Sequence, residues 1–247
     1  MSIDSAADWK GMREAGRITR LTLDALEGQI RVGVSTAELD EVAAAVFDRN
    51  GARSAPALVY GFPGTVLISV NDEVVHGVPG RRRLERGDLV KLDVTVEKNG
   101  YVADAARSVV VEAGTETAHR LAACAASALE AALTIARAGV RVNEIGRAVN
   151  REVRRHGFSV VRGLTGHGVG RTIHEAPSVP NTYDPWQTDV LTEGLVLTIE
   201  PMISAGSAQA VTDVNGWTIR TRDGSLAAHH EHTLVITRQA PLVLTAA

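Results

Sequence analysis

A single cysteine, Cys124, stands in a chain of 247 residues, so no intramolecular disulfide can form and the fold has to hold without one. Charge of one sign is not in excess either. Lys and Arg number 26 against 29 Asp and Glu, a formal net charge of −3 that gives no general electrostatic drive toward DNA or anionic lipid. Long apolar runs are also missing: the longest helical stretch, around Leu121 to Ala136, is rich in Ala and carries Glu130, short of the ~20 strongly apolar residues of a membrane span. The first residues show no charged-then-apolar leader pattern, and no Pro-, Ser- or Gly-rich linker divides the chain. The expectation is a cytoplasmic protein with a single domain over residues 1–247. What is present, 45% apolar and 22% charged residues, suffices for a full globular core.

Helix signals come in two pairs. A first helix is expected over about Ala6 to Glu27. A second follows the capping box Ser35-x-x-Glu38, with apolar positions at Leu39, Val42, Ala43, Val46 and Phe47 and a stop at Asn50-Gly51. The other pair is expected over about Thr115 to Ala138 and Asn143 to Arg155. Between and after the pairs lie strand patterns. The first block is Thr65 to Val70, Leu89 to Glu97 and Tyr101 to Val111, with a hairpin turn at Asn99-Gly100; the second covers Phe158 to Arg162, Leu195 to Glu200, Trp217 to Arg222 and Glu231 to Thr237.

This order of helices, strands, helices, strands suggests an internal repeat. Residues 31–51 match residues 137–157 at Arg31/Arg137, Gly33/Gly139, Val34/Val140, Glu38/Glu144, Arg49/Arg155 and Gly51/Gly157. Gly87 to Asp93 lies on Gly194 to Glu200, each a Gly, an apolar-rich strand and a carboxylate. Two related halves, about 12–111 and 115–237, would each deliver an acid from a strand to a site on a pseudo-two-fold axis.

Asp93 interrupts an apolar strand, and a lone buried carboxylate is too costly to persist unpaired. A two-residue turn at Asn99-Gly100 sets Lys98 opposite Tyr101 and Asp93 opposite Ala106. Asp104, two residues from Ala106, then shares the face of Asp93. Such a pair either shares a proton or ligates a cation. Glu200 in Thr-Ile-Glu-Pro-Met, Glu231 in His-His-Glu-His-Thr and His167 in Gly-His-Gly-Val-Gly each have an ordinary reading as a strand acid or a loop histidine. Together, four acids and one imidazole balance two divalent cations. His230 and His232 would point away from Glu231 on a strand, and none of His229, His230 and His232 is taken as a ligand.

The ordered set Ser69-Val-Asn-Asp-Glu-Val-Val-His76-Gly, Asp93, Asp104, Gly166-His167-Gly-Val-Gly-Arg-Thr-Ile-His174-Glu, Thr198-Ile-Glu200-Pro-Met and Glu231-His-Thr closely resembles type I methionine aminopeptidases, from near residue 12 to about Thr237. The resemblance implies an α/β architecture of the α+β type, the pita-bread fold, with two pseudo-symmetric halves around a dinuclear site. It implies Asp93 as a ligand of one metal, His167 and Glu200 as ligands of the other, and Asp104 and Glu231 as bridges. The metals would be two divalent cations among Co, Mn, Fe and Zn, which oxygen-rich sites with an imidazole all accept.

Three catalytic roles follow from the same resemblance: Glu200 shuttles a proton, His174 donates to the oxyanion and His76 holds the substrate backbone. Phe62 and Trp217 match the substrate pocket, with Pro56, Val59, Leu67 and Ile173 beside them; for Trp217 a core position is the alternative. Two departures stand out. Ala105-Ala106 follows Asp104 where the family usually has Thr-Ser, and the pocket lacks its usual Cys and Tyr.

The implied activity is removal of the initiator methionine from peptide or nascent-protein N-termini. A same-fold metallopeptidase with another N-terminal preference, and an inactive binding module of this fold, are the alternatives. Arg81-Arg82-Arg83 offers a transient ribosome contact, although so short a run reads first as a solvated turn. Cys124, among alanines, reads as helix packing.

Overall fold

Helix boundaries follow the capping residues. The computed structural model describes residues 1–246, and in it α1, Ala6–Glu27, starts where the Ser5 side chain accepts the Asp8 N–H. Helix α2, Thr36–Asn50, has the full capping box of Ser35 and Glu38, and it stops at Gly51 in the left-handed region at φ 55°, where a side chain would be strained. A short helix α3, Ala55–Tyr60, was not among the sequence expectations, since six residues are too few to show a period.

Helix α4, Glu116–Leu133, ends earlier than the expected Ala138. Beyond it the Ala138 N–H is taken by the Thr237 carbonyl and that of Gly139 by Leu191, so the chain turns onto the C-terminal strands. Cys124 is fully buried on α4. Helix α5, Val142–Arg155, runs close to its expected span. Among the described residues no helix is long and apolar enough to cross a membrane.

The strands Leu89–Lys98 and Tyr101–Val110 pair along their whole length, with Lys98 opposite Tyr101, Thr95 opposite Asp104 and Asp93 opposite Ala106. Asn99 and Gly100 both have positive φ, 52° and 80°, the backbone that a two-residue hairpin of matching twist requires. Leu67–Val70 pairs on the other side of Leu89–Lys98 and sets Leu67 against Asp93. Helices α1 and α2 cover this sheet, burying Ile18, Leu23, Leu39 and Phe47 against Val90 and Leu92. A five-stranded sheet runs in the order Leu242–Val243, His232–Val235, Val196–Ile199, Thr165–Gly168, Glu175–Pro180. Helices α4 and α5 share a second core with its residues Leu197, Ile199 and Leu234.

The two sheets are joined by backbone where the site lies. Glu231 N–H donates to the Ala106 carbonyl at 3.0 Å, and Ala106 N–H donates back at 3.4 Å. The Thr233 hydroxyl accepts the Asp104 N–H at 2.8 Å and donates to the Asp104 carbonyl at 2.7 Å. Ser108 clasps His229 in the same way, accepting its N–H at 2.9 Å and donating to its carbonyl at 2.8 Å. Acids from both sheets are therefore held at fixed spacing before any ligand is considered.

Candidate metal centre

Five residues singled out in the sequence, far apart along the chain, converge on one cavity of about 480 Å³ that includes Asp93, Asp104, His167, Glu200 and Glu231 in its lining. Asp93 and Asp104 come from the hairpin, on one face as the two-residue turn requires. Glu200 follows the strand Val196–Ile199, and Glu231 sits between Ala227–His229 and His232–Val235.

The glycines around His167 predict a loop. His167 lies instead on the strand Thr165–Gly168, and its flanking glycines serve close packing: a Cβ on Gly166 would come within 2.6 Å of the Thr198 carbonyl oxygen, and one on Gly168 within 2.1 Å of the Ala176 carbonyl oxygen. The imidazole is oriented by its neighbours. Its Nδ1–H donates to the Gly168 carbonyl at 3.0 Å, which leaves the Nε2 lone pair facing Glu200 Oε1 at 3.3 Å.

One side chain ties this imidazole to its acid. The Thr198 hydroxyl donates to Glu200 Oε1 at 2.9 Å and accepts the His167 backbone N–H at 3.1 Å, with no exposure to solvent. Sequence reading passed over Thr198. The signal was there, since strand alternation puts 198 and 200 on one face.

Charge decides what the acids can hold. Among the described residues none of Asp93, Asp104, Glu200 and Glu231 pairs with a Lys or Arg; the cationic-capable side chains near them are His167 and His229. Lys91, two residues before Asp93, turns its ammonium to the carbonyls of Asn71 and Leu89 instead. Burial pushes the Asp104 carboxyl up to about 6. Burial first, and then neighbouring acid charges, push Asp93, Glu200 and Glu231 well above the usual carboxylate range.

Burial, followed by the nearby His174, holds His167 down to about 4, so it is a neutral donor at pH 7. Asp104 Oδ1 and Glu231 Oε1 are buried with no hydrogen-bond partner. Donor atoms of Asp104, His167 and Glu231 all lie within 4.8 Å of one another, and so do those of Asp93, His229 and Glu231. Oxygen donors with an imidazole, an excess of buried negative charge and orphaned carboxylate oxygens fit divalent cations.

The remaining predicted residues surround this cluster. His76, with φ 59°, and His174 both line the cavity, and the rings of His174 and His167 lie 4.2 Å apart. Tyr60 Oη is 2.5 Å from His174 Nδ1, a contact that no sequence pattern marked. The apolar wall comprises Pro56, Phe62, Leu67, Ile173, Met202 and Trp217, with the Phe62 and Trp217 rings edge to face at 5.3 Å. Val59, expected in the pocket, is a correction: it is 54% exposed and lies outside the lining, and its α3 neighbour Tyr60, itself 49% exposed, lines the cavity instead. Met202 supplies a thioether that sequence reading omitted. Arg82 and Arg83 of the basic run pair with Glu73 and Glu38 on the surface, as a solvated turn would.

Residues 10–238 match the model of metallopeptidase family M24. "Methionine aminopeptidase 2" of Bacillus subtilis (strain 168) is 42% identical over 247 residues, covering 99% of each chain. The methionine aminopeptidase of Escherichia coli (strain K12) is 40% identical, covering 99% of this chain and 94% of that one. Among solved structures, the methionine aminopeptidase of Thermotoga maritima superimposes with a TM-score of 0.96 at 32% identity over the whole of both chains. The prolidase of Pyrococcus furiosus shares the fold, with a TM-score of 0.80 at 24% identity, but only 65% of its chain is covered.

Proposed function

We propose that this chain, which belongs to metallopeptidase family M24, is a methionine aminopeptidase that removes the N-terminal methionine of peptides and nascent proteins in the cytoplasm, using two divalent cations. The observation that carries the reading is the cluster of four carboxylates, three buried and Asp93 nearly so, that among the described residues have no Lys or Arg partner, beside an imidazole whose free lone pair faces Glu200. Asp93 would hold one cation, His167 and Glu200 the other, and Asp104 and Glu231 would reach both. When bound, the cations supply the Lewis acidity that makes water a nucleophile near neutral pH, a role for which two-metal aminopeptidases are a general example.

The chain's own residues account for the rest. A free substrate α-amine would be recognised by the acids together with the cations they hold, which confines cleavage to the first peptide bond. The methionine side chain fits the wall of Phe62, Leu67, Ile173, Met202 and Trp217. If the Tyr60 hydroxyl donates to His174 Nδ1, His174 carries its proton on Nε2 and can give a hydrogen bond to the developing oxyanion. His76, half-buried at the same wall, holds the substrate backbone. Glu200 Oε takes the proton released from water and passes it to the leaving amine. Its position is fixed by the Thr198 hydroxyl.

A panel of Met-, Ala-, Leu- and Pro-initiated tetrapeptides, assayed after metal removal and after readdition, tests the reading. The Met peptide should be cleaved at its first bond only, and only after readdition. Preferred cleavage of Pro-containing substrates, or no cleavage of any peptide, would refute it.

A further inference from the structure

His229 stands beside the acids of the centre, within 4.0 Å of Asp93, Glu200 and Glu231, and has no part in the roles above. It is 1% exposed, and both ring nitrogens are without a hydrogen-bond partner. Its backbone is clamped on both sides, by the Ser108 hydroxyl and by pairing of His229 with Met202, so the ring is presented from a rigid strand end. Strand alternation, which turns His230 and His232 away, leaves 229 on the side of Glu231.

Nε2 lies 3.6 Å from Glu231 Oε2 and 3.7 Å from Glu200 Oε2, and Nδ1 lies 4.0 Å from Asp93 Oδ2. These separations discriminate between two roles. They exceed the ~2.7–3.2 Å of an N–H···O hydrogen bond. Two donors bound to one ion at ~2.0–2.2 Å sit ~3 Å apart at a right angle and ~4.2 Å apart across the ion, so the Nε2–Glu231 separation suits joint ligands, and a single ring nitrogen lies within 4.8 Å of donor atoms of both Asp93 and Glu231.

We propose that His229 is a second imidazole ligand of the centre, completing with Asp93 and Glu231 the cation position that His167 does not serve. Donor atoms of Asp93, His229 and Glu231 fall within 4.8 Å of one another, as do those of Asp104, His167 and Glu231, with Glu231 common to both sets. Each cation would then have one imidazole. The chemical consequence is selectivity: an imidazole in an otherwise carboxylate position favours Co²⁺, Zn²⁺ or Fe²⁺ over Mg²⁺ and Ca²⁺. The proposal rests on the two-cation reading, and its test separates the two.

Protein labelled with ¹⁵N-histidine is titrated with Co²⁺, counting bound equivalents by calorimetry and paramagnetically shifted imidazole N–H signals by NMR. The expected result is two equivalents, with two shifted imidazoles at saturation. Two equivalents with a single shifted imidazole would overturn the role of His229 and leave the two-cation reading standing; a single equivalent would overturn both. In His229→Gln, checked for native melting, one Co²⁺ equivalent should lose about 10–100-fold in affinity while the other stays within about threefold. Unchanged affinity for both equivalents would contradict the assignment, and the wild-type titration decides the matter even if the variant does not fold.

Discussion

Replacing Thr198 by Val removes one hydroxyl at nearly constant shape and cuts the link between His167 and Glu200. The hydroxyl donates to a carboxylate at 2.9 Å and accepts a backbone N–H at 3.1 Å in a position with no solvent exposure, so water cannot replace it. Loss of a hydrogen bond to a charged group costs ~1.5–3 kcal/mol, and the orphaned His167 N–H adds ~1–3 kcal/mol if nothing relaxes. A net loss of about 3 kcal/mol in the metal-loaded protein is expected, or a drop in Tm of ~6–12 °C for a domain of this size.

Because Thr198 orients two groups of the centre, apparent affinity for Co²⁺ should fall by ~10–100-fold. Thr198→Ser keeps the hydroxyl and loses a methyl group, so it should cost ~1 kcal/mol of stability and leave metal affinity unchanged. Thermal denaturation and a competitive chelator titration on the three proteins read both quantities. A Val variant that melts within 1 °C of wild type and binds Co²⁺ equally well would refute the claim that this hydroxyl organises the centre.

Replacing His174 by Ala should lower kcat by ~10²–10³ with metal content unchanged, the effect of removing one oxyanion donor, as steady-state kinetics and elemental analysis would show. Tyr60→Phe, which removes the partner of His174 Nδ1, should cost a milder ~5–10-fold in kcat. Cation binding needs ionised acids, and burial raises Asp104 to about 6 and pushes the other three acids well above the usual carboxylate range; apparent affinity should therefore fall as pH drops through 6, approaching tenfold per unit for each proton displaced. His167, at about 4, adds to this competition only at lower pH, and calorimetry across pH 5 to 8 checks the slope. The apolar wall should separate Met from Leu or norleucine by only ~10–200-fold in kcat/KM, while a Lys-initiated peptide is rejected far more strongly because nothing in the wall pairs its charge.

The hairpin shows what local sequence can specify. Asn99-Gly100 fixes a two-residue turn, the turn fixes the register, and the register puts Asp93 and Asp104 on one face before anything is known of the rest of the fold. Helices with side-chain caps, such as Thr36–Asn50, were legible for the same reason. The strand carrying His167 was not, because glycines read as loop unless one knows that the Thr198 and Ala176 carbonyls press against them. Tyr60 and Met202 enter the cavity through the paths of α3 and of the chain after Glu200, which alternation in short segments does not encode. His229 was set aside with its neighbours although parity alone distinguished it; recognising it required seeing both ring nitrogens buried without partners.

Anomalous diffraction from crystals soaked in Mn²⁺ or Co²⁺ would reveal the proposed two-cation centre ion by ion. Two peaks ~3.5–4 Å apart are expected, with Asp104 and Glu231 reaching both, Asp93 on one and His167 with Glu200 on the other, and both peaks absent in Asp104→Ala. A single peak at saturating metal, peaks away from these side chains, or two full peaks retained in Asp104→Ala would contradict the two-cation reading.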